Sequence, residues 1–376
     1  MSSTVAIIGG GYGGAQVAKS LDAEADVVLI EPRDAFVHAA GSLRALVRPE
    51  WAPNMFFSYD NLLERGRVVR DKATAVDARG VTLASGERVE ADHIVLAVGS
   101  GYPYPAKTET PDRAAALAEL AATHEELRKS ARVLIFGAGP VGLELAGEIA
   151  SVWPGKAVTI VDPRESLLDG FDEALRADLL EQLAGLGVRL RLGVRLPEPA
   201  SEPGVHGVVS TGDEEADIWF RAHGVRTNFL AGFPVNERGR VRVTPRLTVE
   251  GHTNVHAVGD VTDVPEAKMA GYAMQHAAVV AENILAALRG EEPTAEYHPS
   301  PVPAILLPLG PEGGVGQFPG EGGAWVLPRE MVVDYKGRDL FSGRFHELFG
   351  TAPVEPDAVA ADDTVATTAG TPARHG

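Results

Sequence analysis

Val133-Leu134-Ile135-Phe136-Gly137-Ala138-Gly139-Pro140-Val141-Gly142-Leu143-Glu144 sits in mid-chain and repeats a pattern already present near the N-terminus, Val5-Ala6-Ile7-Ile8-Gly9-Gly10-Gly11-Tyr12-Gly13-Gly14. A four-residue apolar run without polar interruption suits a strand buried on both faces of a parallel sheet. The glycines then turn the chain into a helix: the first makes the turn, the second admits a pyrophosphate, the third lets helix lie on strand. The N–H groups opening that helix are a ready site for a diphosphate. Each copy also has its acid about 20 positions on, where a ribose would be bonded: Asp162 after Ala157-Val158-Thr159-Ile160-Val161, and Glu31 after Val27-Val28-Leu29-Ile30. One glycine fingerprint is weak evidence, since a strand-turn-helix needs no ligand. Two, each with strand, helix and acid in place, predict two bound nucleotides.

The remaining chain fits around these two units. At 376 residues it is long enough for two or three domains. A formal charge of -18 repels phosphate backbones and anionic lipid, which argues against nucleic-acid binding. There is no cysteine, which excludes disulfides, thiolate metal sites, iron–sulfur clusters and redox dithiols together. No signal-like or membrane-length apolar run occurs, so a cytoplasmic protein is expected, with at most peripheral membrane contact. His252 and His256, four apart, fall on turn and strand and do not predict a metal site; none is expected.

Along the sequence, Val68–Asp77 and Val81–Glu90 predict a hairpin or short meander. His93–Ser100 predicts a buried strand, followed by a Pro-rich linker, Tyr102–Pro105. Helices are expected over Ala114–Lys129, Leu167–Leu186 and about Ala267–Leu288, and Ile218–Gly224 occupies in the second unit the place of Ile94–Gly99 in the first. Asn254–Asp260 is again strand, glycine, acid. Residues 351–376, rich in Ala, Thr, Asp and Pro, are expected to be disordered.

Taken together, these motifs resemble the two-dinucleotide-domain flavoproteins, the glutathione-reductase-like group that includes type II NADH dehydrogenases and apoptosis-inducing factor. Phe36-Val37-His38, Leu43-Arg44-Ala45, Val249–Val255, Lys268-Met269-Ala270, Gly314–Gln317 and Arg338–Phe341 bring the chain nearest to the apoptosis-inducing-factor-like ferroptosis suppressors. The resemblance implies an α/β fold with two Rossmann-like dinucleotide-binding domains, the FAD domain discontinuous (1–108 and 239–298) and the NAD(P)H domain inserted (109–238). A small α+β C-terminal interface domain (299–350) and a tail (351–376) would follow.

The resemblance further implies FAD at Gly9, Gly11, Tyr12, Gly13, Gly14, Glu31, Pro32, Arg33, Arg44, Ala97, Gly99, Gly259, Asp260, Lys268 and Met269. NADH, with NADPH as its alternative, would lie at Gly137, Gly139, Pro140, Val141, Gly142, Asp162 and Gly224. Catalytic roles fall to Glu144, facing flavin and nicotinamide, and to Lys268 and His276, lining an acceptor site with the apolar segment 325–349. That segment carries four basic and four acidic residues, so it is neutral and suited to approach a membrane. Arg221 and His223 depart from the pattern, standing where relatives have an apolar residue and threonine. The expected activity is electron transfer from NAD(P)H through FAD to a small quinone-like acceptor. Reduction of a ferredoxin or other redox protein, and nicotinamide sensing by partner binding, are the alternatives. The sequence leaves the oligomeric state open.

Overall fold

The computed structural model describes residues 3–228 and 230–354. Its frame is two parallel sheets of like order. In the first, Arg67–Val69, Asp26–Ile30, Thr4–Ile8, His93–Leu96 and Val255–Ala257 lie side by side. In the second the order is Arg189–Leu192, Ala157–Asp162, Arg132–Phe136, Ile218–Arg221. The extra strand of the first sheet, Val255–Ala257, comes from chain beyond the second sheet. The first sheet is therefore discontinuous in sequence, and the segment ending in Gly259-Asp260 is brought back beside the first glycine turn.

Alternation explains the layers. Val5 and Ile7 face the helices Tyr12–Leu21 and Ala270–Leu288, while Ala6 and Ile8 face an antiparallel sheet on the other side. Likewise Val133 and Ile135 pack on helices, and Leu134 and Phe136 on the hairpin Val209–Thr211/Glu214–Ala216. Full burial of each such side chain contributes roughly 1.5–3 kcal/mol, so uninterrupted apolar runs occur only where both faces are covered.

Three expectations need correction. The region 68–90 is the short meander of the two alternatives, Ala73–Asp77, Gly80–Leu83 and Arg88–Glu90 forming a three-stranded antiparallel sheet, but it starts later than expected because Val68 and Val69 join the parallel sheet. The helix expected from Leu167 begins only at Glu173, because Leu168 and Gly170 take positive φ and the Asp172 carboxylate caps Ala174 N–H at 2.8 Å. The tail is held further than expected: Asn54 bonds both the N–H and the carbonyl of Val354. Residues 355–376 lie outside the described residues.

After residue 299 the chain forms an antiparallel sheet, Ile305–Pro308, Gly314–Gly320 and Gly323–Val326. The helix Arg329–Val332, a π turn Val333–Gly337 and the helix Ser342–Phe349 follow. Leu340 and Phe341 between them are left-handed, with φ 55° and 66°, a conformation that costs a non-glycine residue about 1–3 kcal/mol.

Two buried histidines set an acid limit on stability. His256 has no partner on either ring nitrogen, and burial beside His93 pushes it down to about 3; burial holds His38 at about 4. Both lie below the ordinary value of 6.5, so below that pH the unfolded chain binds more protons than the folded one. Stability is fully present above pH 6.5 and is lost as pH falls through the folded values. Denaturation midpoints are expected to be level from about pH 8 to 7 and to fall below it. His256→Leu removes the orphaned nitrogens and should make the acid limb shallower; an unchanged limb would clear His256 of the effect.

Candidate functional site

Both glycine turns are built alike, atom for atom. A Cβ on Gly14 would stand 1.9 Å from Gly9 O, and one on Gly142 1.9 Å from Gly137 O, so each helix rests directly on its turn. Gly9 and Gly137, at φ 101° and 111°, pack against the carbonyls of Ala97 and Ala222 at the ends of the adjacent strands. The middle glycines differ from these. A Cβ on Gly11 would meet no side chain or neighbouring strand within 4 Å, and one on Gly139 only the Arg164 guanidinium at 4.0 Å. Open space at these positions, at the N-termini of Tyr12–Leu21 and of Pro140–Val152, with Val141 in its first turn, is what a diphosphate needs.

The acids close each cradle. Glu31 accepts Gly10 N–H at 2.7 Å and Arg33 N–H at 3.0 Å; Asp162 accepts Ala138 N–H at 2.7 Å and Arg164 N–H at 2.9 Å. The recurring tripeptides Glu31-Pro32-Arg33 and Asp162-Pro163-Arg164 carry this arrangement, a second repeat legible in the sequence. Arg33 Nε is buried without a partner, and Lys107 Nζ lies 2.7 Å from Ser100 O and 3.8 Å from Asp260 Oδ2. Ser100 Oγ donates to Asp260. Two cations around the first cradle suit the phosphates of a dinucleotide. Lys107 and Ser100 were not singled out from sequence, although Ser100 adjoins the expected Gly99, which is left-handed at φ 62°, as is Gly224 at 94°.

The seam between the two cradles holds a second cluster. Lys336 Nζ lies 2.8 Å from Glu144 Oε1 and donates to Leu306 O at 2.9 Å. Burial raises the Glu144 carboxyl above its ordinary value, against the opposing pull of the Lys336 ammonium. Next to it, His38 Nε2 donates to Leu340 O at 2.6 Å, leaving Nδ1 to accept from Tyr12 OH at 3.0 Å, and Tyr12 OH accepts Ala40 N–H. Burial raises Tyr12, and the charges of Glu144 and Asp260 add to it, so this phenol stands between the two nucleotide sites. Burial, with the Lys336 charge adding to it, keeps His38 neutral. Lys336 and His38 were missed as site residues; a lone lysine inside an aromatic, apolar segment was the available signal.

Several expected site residues make contacts within the chain. Arg44 is 2% exposed and spends its donors on Glu148 Oε1, at 3.0 Å from Nε and 2.7 Å from the guanidinium nitrogen, and on Arg338 O at 2.8 Å. It bolts parts of the chain together, with three of its five N–H donors engaged inside the protein. His276, expected at the acceptor surface, is 1% exposed and accepts Gly259 N–H on Nδ1 at 3.1 Å. Lys268 donates to Val264 O, and Met269 is the extended residue before the helix Ala270–Leu288. The polar anchors of segment 325–349 include Glu144, His38, Arg44, Asp178 and Asn54, and among the described residues no hydrogen bond or ion pair ties it to Lys268 or His276. Arg221 and His223 both meet Glu198, His223 at 2.9 Å, and with Gly224 they line an open cleft in which their side chains stay 40% and 52% exposed. Among the described residues, no three His, Cys, Asp or Glu side chains are grouped to hold a metal, and no helix is long and apolar enough to cross a membrane.

Paired dinucleotide cradles on two like sheets, with the first sheet completed by a returning strand, define an oxidoreductase that binds FAD and a nicotinamide nucleotide. The chain belongs to the pyridine nucleotide-disulphide oxidoreductase family, whose model matches residues 3–279, and within it to the ferroptosis suppressor protein 1 relatives. It is 33% identical to ferroptosis suppressor protein 1 of Homo sapiens over 359 residues, covering 90% of this chain and 93% of that one. It is 29% identical to apoptosis-inducing factor homolog B of Dictyostelium discoideum, covering 91% and 95%. Among solved structures, the sulfide:quinone oxidoreductase of Aquifex aeolicus matches with a TM-score of 0.74 at 19% identity, covering 92% of this chain and 90% of that one. The protein is an FAD-dependent NAD(P)H oxidoreductase.

The nicotinamide site carries its own control of coenzyme choice. Burial works against ionisation of Asp162, but hydrogen bonds from Arg164 and from Ala138 N–H overcome it and hold the carboxyl at about 2. Arg164 grips both oxygens, each at 2.9 Å. The carboxylate can take ribose hydroxyls and repels a 2′-phosphate, while the guanidinium beside it can pair with one. NADH is expected to be preferred. Arg164→Ala should lower kcat/KM for NADPH about tenfold, near the worth of one charge-assisted hydrogen bond, and barely alter NADH. Equal losses for both coenzymes would show that Arg164 only holds Asp162.

Proposed function

We propose that this flavoenzyme delivers its two electrons to a small quinone-like acceptor at the seam of Glu144, Lys336, His38 and Tyr12. The observation that carries the reading is a largely covered ammonium, Lys336 Nζ, its side chain 13% exposed, held by Glu144 within the same segment that exposes Phe341. A quinone needs an apolar approach and a donor at its oxygen, and an apolar pocket with few polar anchors is the usual form of such a site. Bound FAD supplies the hydride-accepting and electron-returning chemistry; the chain supplies position and charge. Glu144 orients the nicotinamide and fixes the ammonium, Lys336 steadies negative charge on the acceptor oxygen, and the Tyr12–His38 pair holds a proton beside it. With no cysteine in the chain, no dithiol can carry the electrons.

Segment 325–349 serves as the acceptor's entrance and as a peripheral membrane contact. Trp325, Tyr335 and Phe341 are 47%, 46% and 36% exposed there, while Leu327, Val332, Leu340, Phe345 and Phe349 are core. The test is steady-state oxidation of NADH with a short-chain benzoquinone, run against a ferredoxin-type carrier under the same conditions. Rapid turnover with the quinone alone supports the reading. Turnover confined to the protein carrier, or a long-lived reduced complex without turnover, replaces it with a redox-protein reductase or a nicotinamide sensor.

A further inference from the structure

Below the turn that carries Asp260 the chain buries a group of side chains that the reaction does not use. Glu266, its side chain 6% exposed, receives the Tyr297 hydroxyl on one oxygen, and the other lies 2.8 Å from His276 Nε2. The Tyr297 ring stands edge-on to the imidazole at a centroid distance of 4.3 Å. On the opposite side of that imidazole, Nδ1 accepts Gly259 N–H at 3.1 Å. Because Nδ1 is an acceptor there, Nε2 carries the ring proton; it lies 2.8 Å from the Glu266 carboxylate as a close polar contact, without the alignment of a hydrogen bond. The result is a run of close polar contacts, Tyr297, Glu266, His276, Gly259 N–H, hydrogen-bonded at both ends and joining the strap near residue 297 to the residue before Asp260.

Gly259 is held on both sides. Its N–H goes to His276 and its carbonyl accepts from Thr262 N–H at 3.0 Å and Thr262 Oγ1 at 2.8 Å. Its φ of 72° is left-handed, and a Cβ there would come within 3.0 Å of Ala273. The turn therefore has little freedom of its own, and its orientation is set by the imidazole. Desolvating a carboxylate costs several kcal/mol, offset only by the groups that pair with it or donate to it, here the Tyr297 hydroxyl and the nearby imidazole. Fixing the tautomer and plane of a histidine is the task that carboxylates perform behind metal-bound and catalytic imidazoles. Here the imidazole's client is a backbone N–H.

We propose that Glu266 and His276 are positioning residues for FAD: through Gly259 N–H they hold Asp260 where its carboxylate meets the flavin's ribityl and phosphate region. The proposal deepens the cofactor assignment above and rests on Asp260 being a flavin contact. The sequence expectation that His276 lines the acceptor site is thereby replaced by a role one layer deeper.

The experiment reads FAD release from the purified full-length holoenzyme, as the rise of flavin fluorescence on dilution. Far-UV unfolding at saturating FAD reports the fold separately. His276→Leu should release FAD at least tenfold faster. His276→Asn, whose side-chain oxygen can take the place of Nδ1, should restore most of the retention. Glu266→Gln and Tyr297→Phe should lie between, and each should also shift the visible flavin band. Wild-type retention in His276→Leu and Glu266→Gln would overturn the proposal. So would faster release that follows a lowered unfolding temperature in every variant and is not rescued by asparagine. Asp260→Asn is the separate control. If it keeps FAD as well as the parent chain, the assignment of Asp260 itself is wrong, whatever His276 does.

Discussion

Lys336→Ala is expected to slow quinone turnover by about 10²–10³-fold, the scale found when one donor to a developing oxyanion is removed, while NADH still reduces the flavin. The separation follows from where the ammonium sits. Lys336 approaches Glu144 and Leu306 O from the C-terminal segment, on the side where an acceptor would enter, whereas Glu144 belongs to the helix Pro140–Val152 that opens the nicotinamide cradle. Glu144→Ala should have the complementary effect, slowing flavin reduction by NADH more than it weakens FAD retention. Stopped-flow measurement of each half-reaction decides both. An unchanged oxidative half-reaction in Lys336→Ala would remove the lysine from the acceptor site; an unchanged reductive one in Glu144→Ala would leave its carboxylate a favourable charge at a helix start.

The frame was legible because parallel strands covered on both faces write themselves as unbroken apolar runs, and because glycine turns at sheet ends tolerate no other residue. Gly14 and Gly142 each leave less than 2 Å for a Cβ, so such positions are forced by geometry whatever the neighbours do. The acids at the strand ends were legible for a related reason: their partners, Gly10 N–H and Ala138 N–H, are backbone groups fixed by the same turn. What the sequence hid are contacts between side chains far apart in the chain. Lys336 and Glu144 are 192 residues apart, and His38 and the carbonyl of Leu340 are 302 apart. No local period encodes such pairs, since they depend on how the C-terminal segment settles across both sheets. The same limit explains Arg44 and His276. Arg44 was expected at FAD and His276 at the acceptor site by analogy of position, and each has a buried partner supplied by another element, Glu148 in one case and Gly259 N–H in the other.

Arg44→Ala is accordingly expected to act on stability first. The guanidinium links the short helix Ser42–Val47, the helix Pro140–Val152 through Glu148, and the C-terminal segment through Arg338 O, and it stacks near Trp51 at 6.0 Å. Removing it leaves Glu148, 3% exposed and already with one oxygen unpartnered, as an uncompensated buried carboxylate. Breaking one side of such a pair costs about 3–5 kcal/mol, whereas replacing both partners by apolar residues of similar volume is often neutral. Arg44→Ala should therefore lower the denaturation midpoint sharply, and Arg44→Met combined with Glu148→Leu should recover most of the loss. The recovered variant then separates the two roles that Arg44 was offered. FAD retention equal to the parent chain would confirm an architectural arginine; FAD loss in a restored fold would return Arg44 to the flavin site, reached by a side-chain arrangement other than the ion pair seen here.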